Sequence, residues 1–250
     1  MSQELRNKVC IVTGATGGMG KAISEKFAAA GAKLILSGQS SDKGSTLEKQ
    51  LKNSIFIQGD ISKAETNEKL VQAAVDNFGK LDILSINAGI LGLGNVVDLA
   101  ISSWQRTLDT NLSAIFYLTK YAIPHLLQST DANILINASI AAFKSFPNHP
   151  AYCASKAGSV ALMKQLAVEY APTIRVNALC PGPVDTPLLH DSAQAFKNPD
   201  SAVENAKETT LLKRLGMPND IAKLALFMVS NDSSWMTGST INIDGGILNA

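Results

Sequence analysis

The fold predicted for this chain is decided by one stretch of sequence, Lys8-Val9-Cys10-Ile11-Val12-Thr13-Gly14-Ala15-Thr16-Gly17-Gly18-Met19-Gly20. Its first half, up to Thr13, is a β-branched apolar run that predicts a short buried strand. Its second half is a glycine-rich turn, and residues 21–30 then carry an apolar face that predicts a helix ending at Gly31. A strand, a glycine-rich turn and a helix in this order are typical of α/β folds that bind a dinucleotide.

The glycine-rich turn is a candidate phosphate-binding site. A helix N-terminus offers free N–H groups and the positive end of the helix dipole, and glycines let the backbone approach a ligand closely. The spacing of Gly14, Gly18 and Gly20 is wider than that of the common dinucleotide fingerprint, and a tight turn without a ligand would use similar residues. Because a strand and a helix flank the turn, we expect it to hold a pyrophosphate. The residues assigned to this contact are Gly14, Thr16, Gly17, Gly18, Met19 and Gly20.

Strand and helix patterns alternate along the rest of the chain. Apolar runs predict strands at 32–37, 54–58, 81–86, 132–138, 174–179 and 239–243, and helical patterns fall at 43–52, 64–78, 102–121, 152–170 and 218–230. This alternation predicts one α/β domain over residues 1–250, with a doubly wound parallel sheet of the Rossmann type and helices on both faces. Residues 188–217 form the least regular segment, which is either a lid over a substrate or a surface insertion.

Composition limits the possible functions. The chain has 250 residues, 46% hydrophobic and 17% charged, and a net charge of +1, so it lacks the basic excess of proteins that bind nucleic acid or anionic membranes. The polar residues 1–8 do not resemble a signal peptide, and no apolar run is long enough to span a bilayer. The three cysteines and three histidines lack metal-ligand spacing, so we expect no metal and a cytoplasmic location.

Two side chains on one predicted helix can carry acid–base chemistry. Tyr152 and Lys156 are four residues apart, which places them on one face of a helix, one turn from each other. A nearby ammonium lowers the pKa of a phenol. Ser139 ends a predicted strand, at the edge where ligands bind in open α/β sheets. The three groups could together deliver a proton to a carbonyl oxygen, although a Tyr-x-x-x-Lys pair also occurs on ordinary amphipathic helices.

The end of the second predicted strand bears on the choice of cofactor. The dinucleotide fingerprint has an acidic residue there that binds the adenosine ribose, whereas this chain has Ser37-Gly38-Gln39-Ser40-Ser41. This stretch has no carboxylate to repel a 2′-phosphate, and a 2′-phosphate can be hydrogen-bonded by Gln39, Ser40, Ser41 and Lys43. We therefore expect NADP(H) to be preferred over NAD(H).

Three further polar positions each have more than one interpretation. Asp60, which Ile61 follows, can cap a helix or accept a hydrogen bond from an adenine. The small residues of Asn87-Ala88-Gly89 indicate either backbone close to a ligand or a plain turn. Asn111 can kink its long helix, bind a water there or occupy a solvated position.

In the order and spacing of these pieces, the chain resembles the short-chain dehydrogenase/reductase family over essentially its full length. The matching residues are Thr13-Gly14-x-x-x-Gly18-x-Gly20, Asp60, Asn87-Ala88-Gly89, Asn111, Ser139, Tyr152-x-x-x-Lys156, Pro181-Gly182 with Thr186, and Asp244-Gly245-Gly246. The resemblance implies a Rossmann-type fold and hydride transfer with NAD(P)H to a small-molecule ketone, or from a secondary alcohol. It also implies a homo-oligomer, either a dimer or a tetramer packed through two long helices.

The resemblance also implies roles for individual residues. Tyr152 would be the general acid/base, Ser139 would hydrogen-bond the substrate oxygen, and Lys156 would hold the nicotinamide ribose and lower the tyrosine pKa. Asn111 would hold a water in a proton relay that ends at Lys156. The other residues implied in cofactor binding are Gln39, Ser40, Asp60, Ile61, Asn87, Ala88 and Gly89 on the adenosine side, and Pro181, Gly182, Val184 and Thr186 on the nicotinamide side.

Three positions depart from the family pattern. Ile86 stands where the family usually has an additional asparagine before Asn87. Gly17 and Gln39 replace basic residues that many NADP-preferring members have. At these two positions the chain therefore lacks the basic residues that would favour NADP(H).

The first functional hypothesis is an NAD(P)-dependent oxidoreductase similar to the 3-oxoacyl carrier-protein reductases, with a 3-oxoacyl thioester as candidate substrate. The alternatives are a sugar or cyclic-alcohol dehydrogenase of the same family, a sugar epimerase or dehydratase, and a dinucleotide-binding module without turnover. The presence of all four residues with implied catalytic roles argues against a module without turnover. A length of 250 residues leaves little room for the larger substrate domain that epimerases usually carry.

Overall fold

The computed structural model describes residues 3–250. Its strands and helices are, in chain order, β1 (Val9–Thr13), α1 (Gly18–Ala29), β2 (Lys33–Gly38), α2 (Ser41–Gln50), β3 (Ser54–Gln58), α3 (Ala64–Phe78), β4 (Ile83–Ile86), α4 (Ile101–Leu108), α5 (Ala114–Leu126), β5 (Ala132–Asn137), α6 (Pro150–Tyr170), β6 (Ile174–Pro181), α7 (Pro187–Ala193), α8 (Pro199–Thr209), α9 (Pro218–Val229) and β7 (Thr240–Ile243).

The strands form one seven-stranded sheet in the order β3-β2-β1-β4-β5-β6-β7, and every neighbouring pair is parallel. This confirms the predicted doubly wound sheet. The central strands are mostly apolar and buried along their whole length, because helices cover both faces of the sheet. The direction in which successive strands are added reverses between β1 and β4, so a crevice opens there at the carboxyl ends of the strands.

Two hydrophobic cores cover the two faces of the sheet. On one face α3, α5 and α6 pack through residues such as Leu70, Leu118 and Met163. On the other face α1, α2 and α9 pack through residues such as Phe27 and Ala222. Both cores lie beneath the crevice and hold the strand ends that form it. Among residues 3–250, no helix combines the length and the apolar character needed to cross a membrane.

The turn between β1 and α1 depends on two glycines. Gly14 has a φ of +64°, and a Cβ atom there would lie 2.9 Å from the backbone of Ala88 after β4. A Cβ atom at Gly20 would collide with the carbonyl oxygen of Gly14. These glycines allow the first turn of α1 to pack directly on the end of β1.

The long helix predicted at 102–121 is interrupted in the structure. It consists of α4 and α5 joined by a π-helical turn, Asp109–Ser113, which contains Asn111. Asn111 is only 2% exposed, so the interpretation as a solvated position is wrong. Single π turns of this kind often occur at functional sites, because they turn a side chain out of the regular helical register.

The segment predicted to be the least regular, residues 188–217, is more ordered than expected. It contains most of α7 and all of α8. Pro187 and Pro199 each occupy the start of a helix, where the missing N–H of proline costs no hydrogen bond. A proline is common at the first position of a helix, so these two prolines could have indicated both helices.

Candidate active site

A cleft of about 410 Å³ lies over the carboxyl ends of β1, β2 and β4, where the topology places the crevice. We call it the glycine cleft. The predicted cofactor residues that line it are Gly14, Thr16, Gly17, Gly18, Met19, Gly20, Gln39, Ser40, Ile61, Asn87, Ala88, Gly89 and Thr186. The structure thus brings together residues from positions 14 to 186 of the chain.

The amino end of α1 opens into the glycine cleft. No side chain caps this helix, whose N-cap is Gly17. A Cβ atom added at Gly17 meets no atom within 4 Å, because this position faces the open space of the cleft. The first N–H groups of α1 are therefore accessible to an anion, and the cleft fits the pyrophosphate of a dinucleotide.

A second cavity, which we call the apolar pocket, adjoins the glycine cleft and has a volume of about 140 Å³. Met19, Thr186 and Leu188 line both cavities. The predicted site residues in the apolar pocket are Ser139, Tyr152, Pro181, Gly182, Val184 and Thr186. Ser139 and Tyr152 therefore line a cavity that shares wall residues with the cleft.

Tyr152 and Lys156 lie on one face of α6, as their spacing predicts. The Lys156 Nζ atom is 5.7 Å from the centre of the Tyr152 ring. The same Nζ donates a hydrogen bond of 2.8 Å to the backbone carbonyl of Asn137 at the end of β5. A Cβ atom at Gly89 would lie 3.6 Å from Nζ, so the ammonium is also next to the loop after β4.

Burial controls the acid–base properties of both side chains. Burial raises the pKa of Tyr152 above its ordinary value, and a hydrogen-bonding interaction with Ser139 opposes that increase only in part. Burial also lowers the pKa of Lys156 to about 8. The net shift of the Tyr152 pKa is therefore upward, opposite to the lowering expected from Lys156. Tyr152 consequently carries its proton at neutral pH and can donate it.

Asn111 is fixed by hydrogen bonds from the protein itself. Its Nδ2 donates to the carbonyl of Ile90 at 2.9 Å and to Ser155 Oγ at 2.9 Å, and its Oδ1 accepts from the N–H of Ile90 at 2.8 Å. Its backbone carbonyl accepts from Ser159 Oγ at 3.2 Å. Both amide hydrogens of the side chain are thus used to fasten the π turn to α6 and to the loop after β4. The water-binding role of Asn111 stays a prediction.

Asp60 is placed differently from the other adenosine-side residues. Its Oδ1 accepts the N–H of Ser62 at 3.0 Å in a local turn, and the N-cap of α3 is Lys63. The interpretation of Asp60 as the cap of this helix is therefore wrong. Its contact with an adenine stays a prediction, since the neighbouring Gly59 and Ile61 line the glycine cleft.

Sequence reasoning missed His149, which lies in the apolar pocket next to Tyr152. The centres of the two rings are 6.2 Å apart. The Nδ1 atom of His149 is 2.6 Å from the carbonyl oxygen of Pro147, and its Nε2 is 2.8 Å from Ser192 Oγ on α7. His149 precedes Tyr152 by three residues, a spacing that puts it one helical turn away and could have indicated the contact.

Known proteins resemble this chain over nearly its whole length. A family model described as enoyl-(acyl carrier protein) reductase matches residues 14–248. The 3β-hydroxysteroid dehydrogenase 1 of Eggerthella lenta is 34% identical in an alignment 254 residues long, which covers 99% of this chain and 96% of that protein. The 3-oxoacyl-[acyl-carrier-protein] reductase of Thermotoga maritima is 32% identical over 252 residues, which cover 98% of this chain and 99% of that protein.

The fold of this chain is also similar to that of a solved structure. It is described as a short-chain dehydrogenase/reductase, glucose/ribitol dehydrogenase, from Brucella melitensis, and it superimposes with a TM-score of 0.92 at 34% identity. The match covers 99% of each chain. The names of these three relatives refer to a steroid, an acyl thioester and a polyol, so they agree on the reaction type but not on the substrate.

Proposed function

This chain belongs to the short-chain dehydrogenase/reductase family, and we propose that it reduces a ketone with Tyr152 as the proton donor. It is an oxidoreductase that transfers a hydride between a nicotinamide cofactor and a ketone or a secondary alcohol. One observation carries the proposed role of Tyr152. Tyr152 and Ser139 both line the apolar pocket next to the glycine cleft.

The residues of this chain handle the substrate oxygen and the proton. In ketone reduction, Ser139 donates a hydrogen bond to the carbonyl oxygen, and the Tyr152 O–H transfers its proton to that oxygen as negative charge develops. The reduced nicotinamide, when bound, supplies the hydride to the carbonyl carbon. Lys156 would hold the nicotinamide ribose, and a water at Asn111 would take part in a proton relay from solvent that ends at Lys156. The products are a secondary alcohol and the oxidised cofactor.

An assay with a 3-oxoacyl thioester tests the proposed activity. We expect purified protein to oxidise NADPH in the presence of acetoacetyl N-acetylcysteamine, which is measured as a loss of the near-ultraviolet absorbance of the reduced nicotinamide. Turnover of a sugar or a cyclic alcohol, without any turnover of thioesters, would move the protein to another branch of the family. A protein that binds the cofactor without turning over any carbonyl or alcohol would contradict the proposed function.

The pH dependence of ketone reduction follows from the two pKa shifts. The amine of Lys156 has a lowered pKa of about 8, so its positive charge is present below that pH and is lost as the pH rises through it. Tyr152 has a raised pKa and keeps its proton over the same range. We expect kcat/KM for reduction, which reports on the free enzyme, to be nearly constant below pH 8 and to fall above it. A rate that continues to rise up to about pH 10 would show that the charge on Lys156 is not needed.

We propose NADP(H) as the preferred cofactor, because a lysine, Lys43, lines the adenosine end of the cleft. Lys43 lines the glycine cleft with Gln39 and Ser40, and Lys21 and Lys43 line an adjoining hollow together with Asp42. Replacing Lys43 with alanine should weaken NADPH binding about tenfold and leave NADH binding unchanged, because only NADPH has the 2′-phosphate. Titration calorimetry with both cofactors measures this, and Lys49→Ala in the same helix is the control. Equal weakening for both cofactors would contradict the proposed preference.

The remaining proposals concern the lid, the assembly and the compartment. We propose that α7 and α8 act as a lid, since residues of both helices line the apolar pocket.

We propose a homo-oligomer, dimeric or tetrameric, because Phe116 on α5 and Val168 on α6 are 52% and 80% exposed apolar side chains on the two long helices. Light scattering would give the assembled mass. The three free cysteines suit the reducing cytoplasm.

A further inference from the structure

The walls of the apolar pocket carry no charge. Among the described residues that line it, none is an aspartate, glutamate, lysine or arginine. Much of its wall comes from the loop after β4, the segment between β5 and α6, the end of β6 with the loop that follows, and the helices α7 and α8. Representative side chains are those of Leu91, Ile140, Phe146, Leu189, Phe196 and Val203.

Three polar side chains of the apolar pocket, those of Thr186, His149 and Ser192, use their hydrogens in bonds to partners in the protein. The hydroxyl of Thr186 donates to the carbonyl of Val184 at 3.1 Å. The carbonyl of Pro147 can only accept, so the Nδ1 of His149 must carry the hydrogen of that 2.6 Å contact. In the neutral ring Nε2 is then an acceptor, and it takes the hydroxyl hydrogen of Ser192.

The ring of His149 also does not supply a positive charge to the pocket. It is 2% exposed and is surrounded by the aromatic rings of Phe146, Tyr152 and Phe196. Burial in these surroundings lowers its pKa below the ordinary value for histidine, so the ring is neutral at neutral pH. The hydroxyls of Ser139 and Tyr152 are left as the side-chain donors that a substrate can use.

We propose that the part of the substrate that enters this pocket is uncharged and mainly apolar, and that the oxygen that reacts at Ser139 and Tyr152 is its one polar group that meets side-chain donors. This inference rests on the proposed function and narrows its substrate class. An anionic keto acid would lose its hydration without meeting a cation, and a sugar would lose the hydration of several hydroxyls and meet only two free side-chain donors, those of Ser139 and Tyr152. An aliphatic or alicyclic ketone loses only apolar surface, which is favourable.

Two matched pairs of compounds test this proposal. Methyl acetoacetate and acetoacetate present the same ketone with and without a negative charge, and both are assayed for reduction with NADPH. Cyclohexanol and myo-inositol present the same carbon ring with one or six hydroxyls, and both are assayed for oxidation with NADP⁺. We expect kcat/KM to be at least about 100-fold higher for the first member of each pair, because the second member buries polar groups without partners.

A charge-introducing variant provides a second, independent test. Val203 lies on α8 and is only partly buried, so a lysine there can fold while placing its ammonium at the pocket wall. We expect Val203→Lys to raise kcat/KM for acetoacetate at least about tenfold and to lower it for methyl acetoacetate. Val203→Leu, which keeps the wall apolar, is the control and should retain the preference of the parent protein. A folded Val203→Lys variant with an unchanged ratio would overturn the proposal.

Binding measurements separate a failure of this inference from a failure of the proposed function. Each compound is titrated into the complex of the protein with the cofactor form that does not react with it. Tyr152-dependent turnover of acetoacetate or myo-inositol at rates comparable with their neutral or less hydroxylated partners would overturn the substrate class and leave the hydride-transfer function standing. Binding of the apolar compounds without turnover of any compound would support the apolar pocket and overturn the proposed function. Neither binding nor turnover of the apolar compounds would overturn both.

Discussion

Replacing Tyr152 with phenylalanine is expected to reduce ketone reduction by about 10²–10⁴-fold, the range typical of a general acid, while dinucleotide binding persists. The substitution removes one hydroxyl and keeps the ring, whose contact with His149 and position on α6 do not depend on that hydroxyl. Steady-state kinetics give the loss of kcat, and calorimetry gives the affinity for NADPH.

The same helix provides a matched control for this variant. Tyr170 lies at the last turn of α6, five helical turns from Tyr152, and packs against the core beneath the sheet. Tyr170→Phe should keep kcat within about twofold, since it removes a hydroxyl that does not line the apolar pocket. A Tyr152→Phe enzyme with a near-normal rate would show that another group donates the proton.

Replacing Gly20 with alanine is expected to damage both the fold and the cofactor site. The added Cβ would collide with the carbonyl oxygen of Gly14, which is backbone and cannot rotate away. Overpacking of this kind should lower the free energy of unfolding by about 2 kcal/mol, and displacement of α1 should weaken NADPH binding at least about tenfold. Chemical denaturation and calorimetry measure the two effects.

An exposed position in α1 supplies the control for Gly20→Ala. Glu25 forms a surface ion pair of 2.9 Å with Lys21, and both side chains are nearly half exposed. Exposed pairs contribute little, so Glu25→Ala should change stability by less than about 0.5 kcal/mol and leave cofactor affinity unchanged. If Gly20→Ala behaved like Glu25→Ala, the close contact between α1 and the end of β1 would not be needed for the site.

The parts of the fold that could be predicted are those set by short-range patterns. The strand at 54–58 and the helix at 64–78 have the bounds that their patterns predict, because polar or glycine residues flank each run and Gly79 ends the helix with a φ of +76°. The glycine turn and the Tyr152–Lys156 spacing are also local. They were sufficient to predict the parallel sheet and the edge at which the candidate site lies.

The features that could not be predicted arise between residues far apart in the chain. The π turn is held where Asn111 meets Ser155 and Ser159, which are 44 and 48 positions away. The raised pKa of Tyr152 results from burial by segments that fold over it, whereas the sequence showed only its neighbour Lys156. The contact of His149 with Ser192, 43 positions away on α7, could not be predicted either.

The hydrogen bonds of Asn111 make one part of the candidate site rigid, whereas the rest of the site can change more freely in evolution. Tyr152 and Lys156 share one helix with the two serines that clamp the π turn, so the groups proposed to move protons are built as a single rigid piece. The helices α7 and α8 connect to that piece through contacts such as those of His149 and Asn148 with Ser192 and Ala195. A descendant of this protein can therefore acquire a new substrate by rebuilding those two short helices and inherit the proton chemistry unaltered.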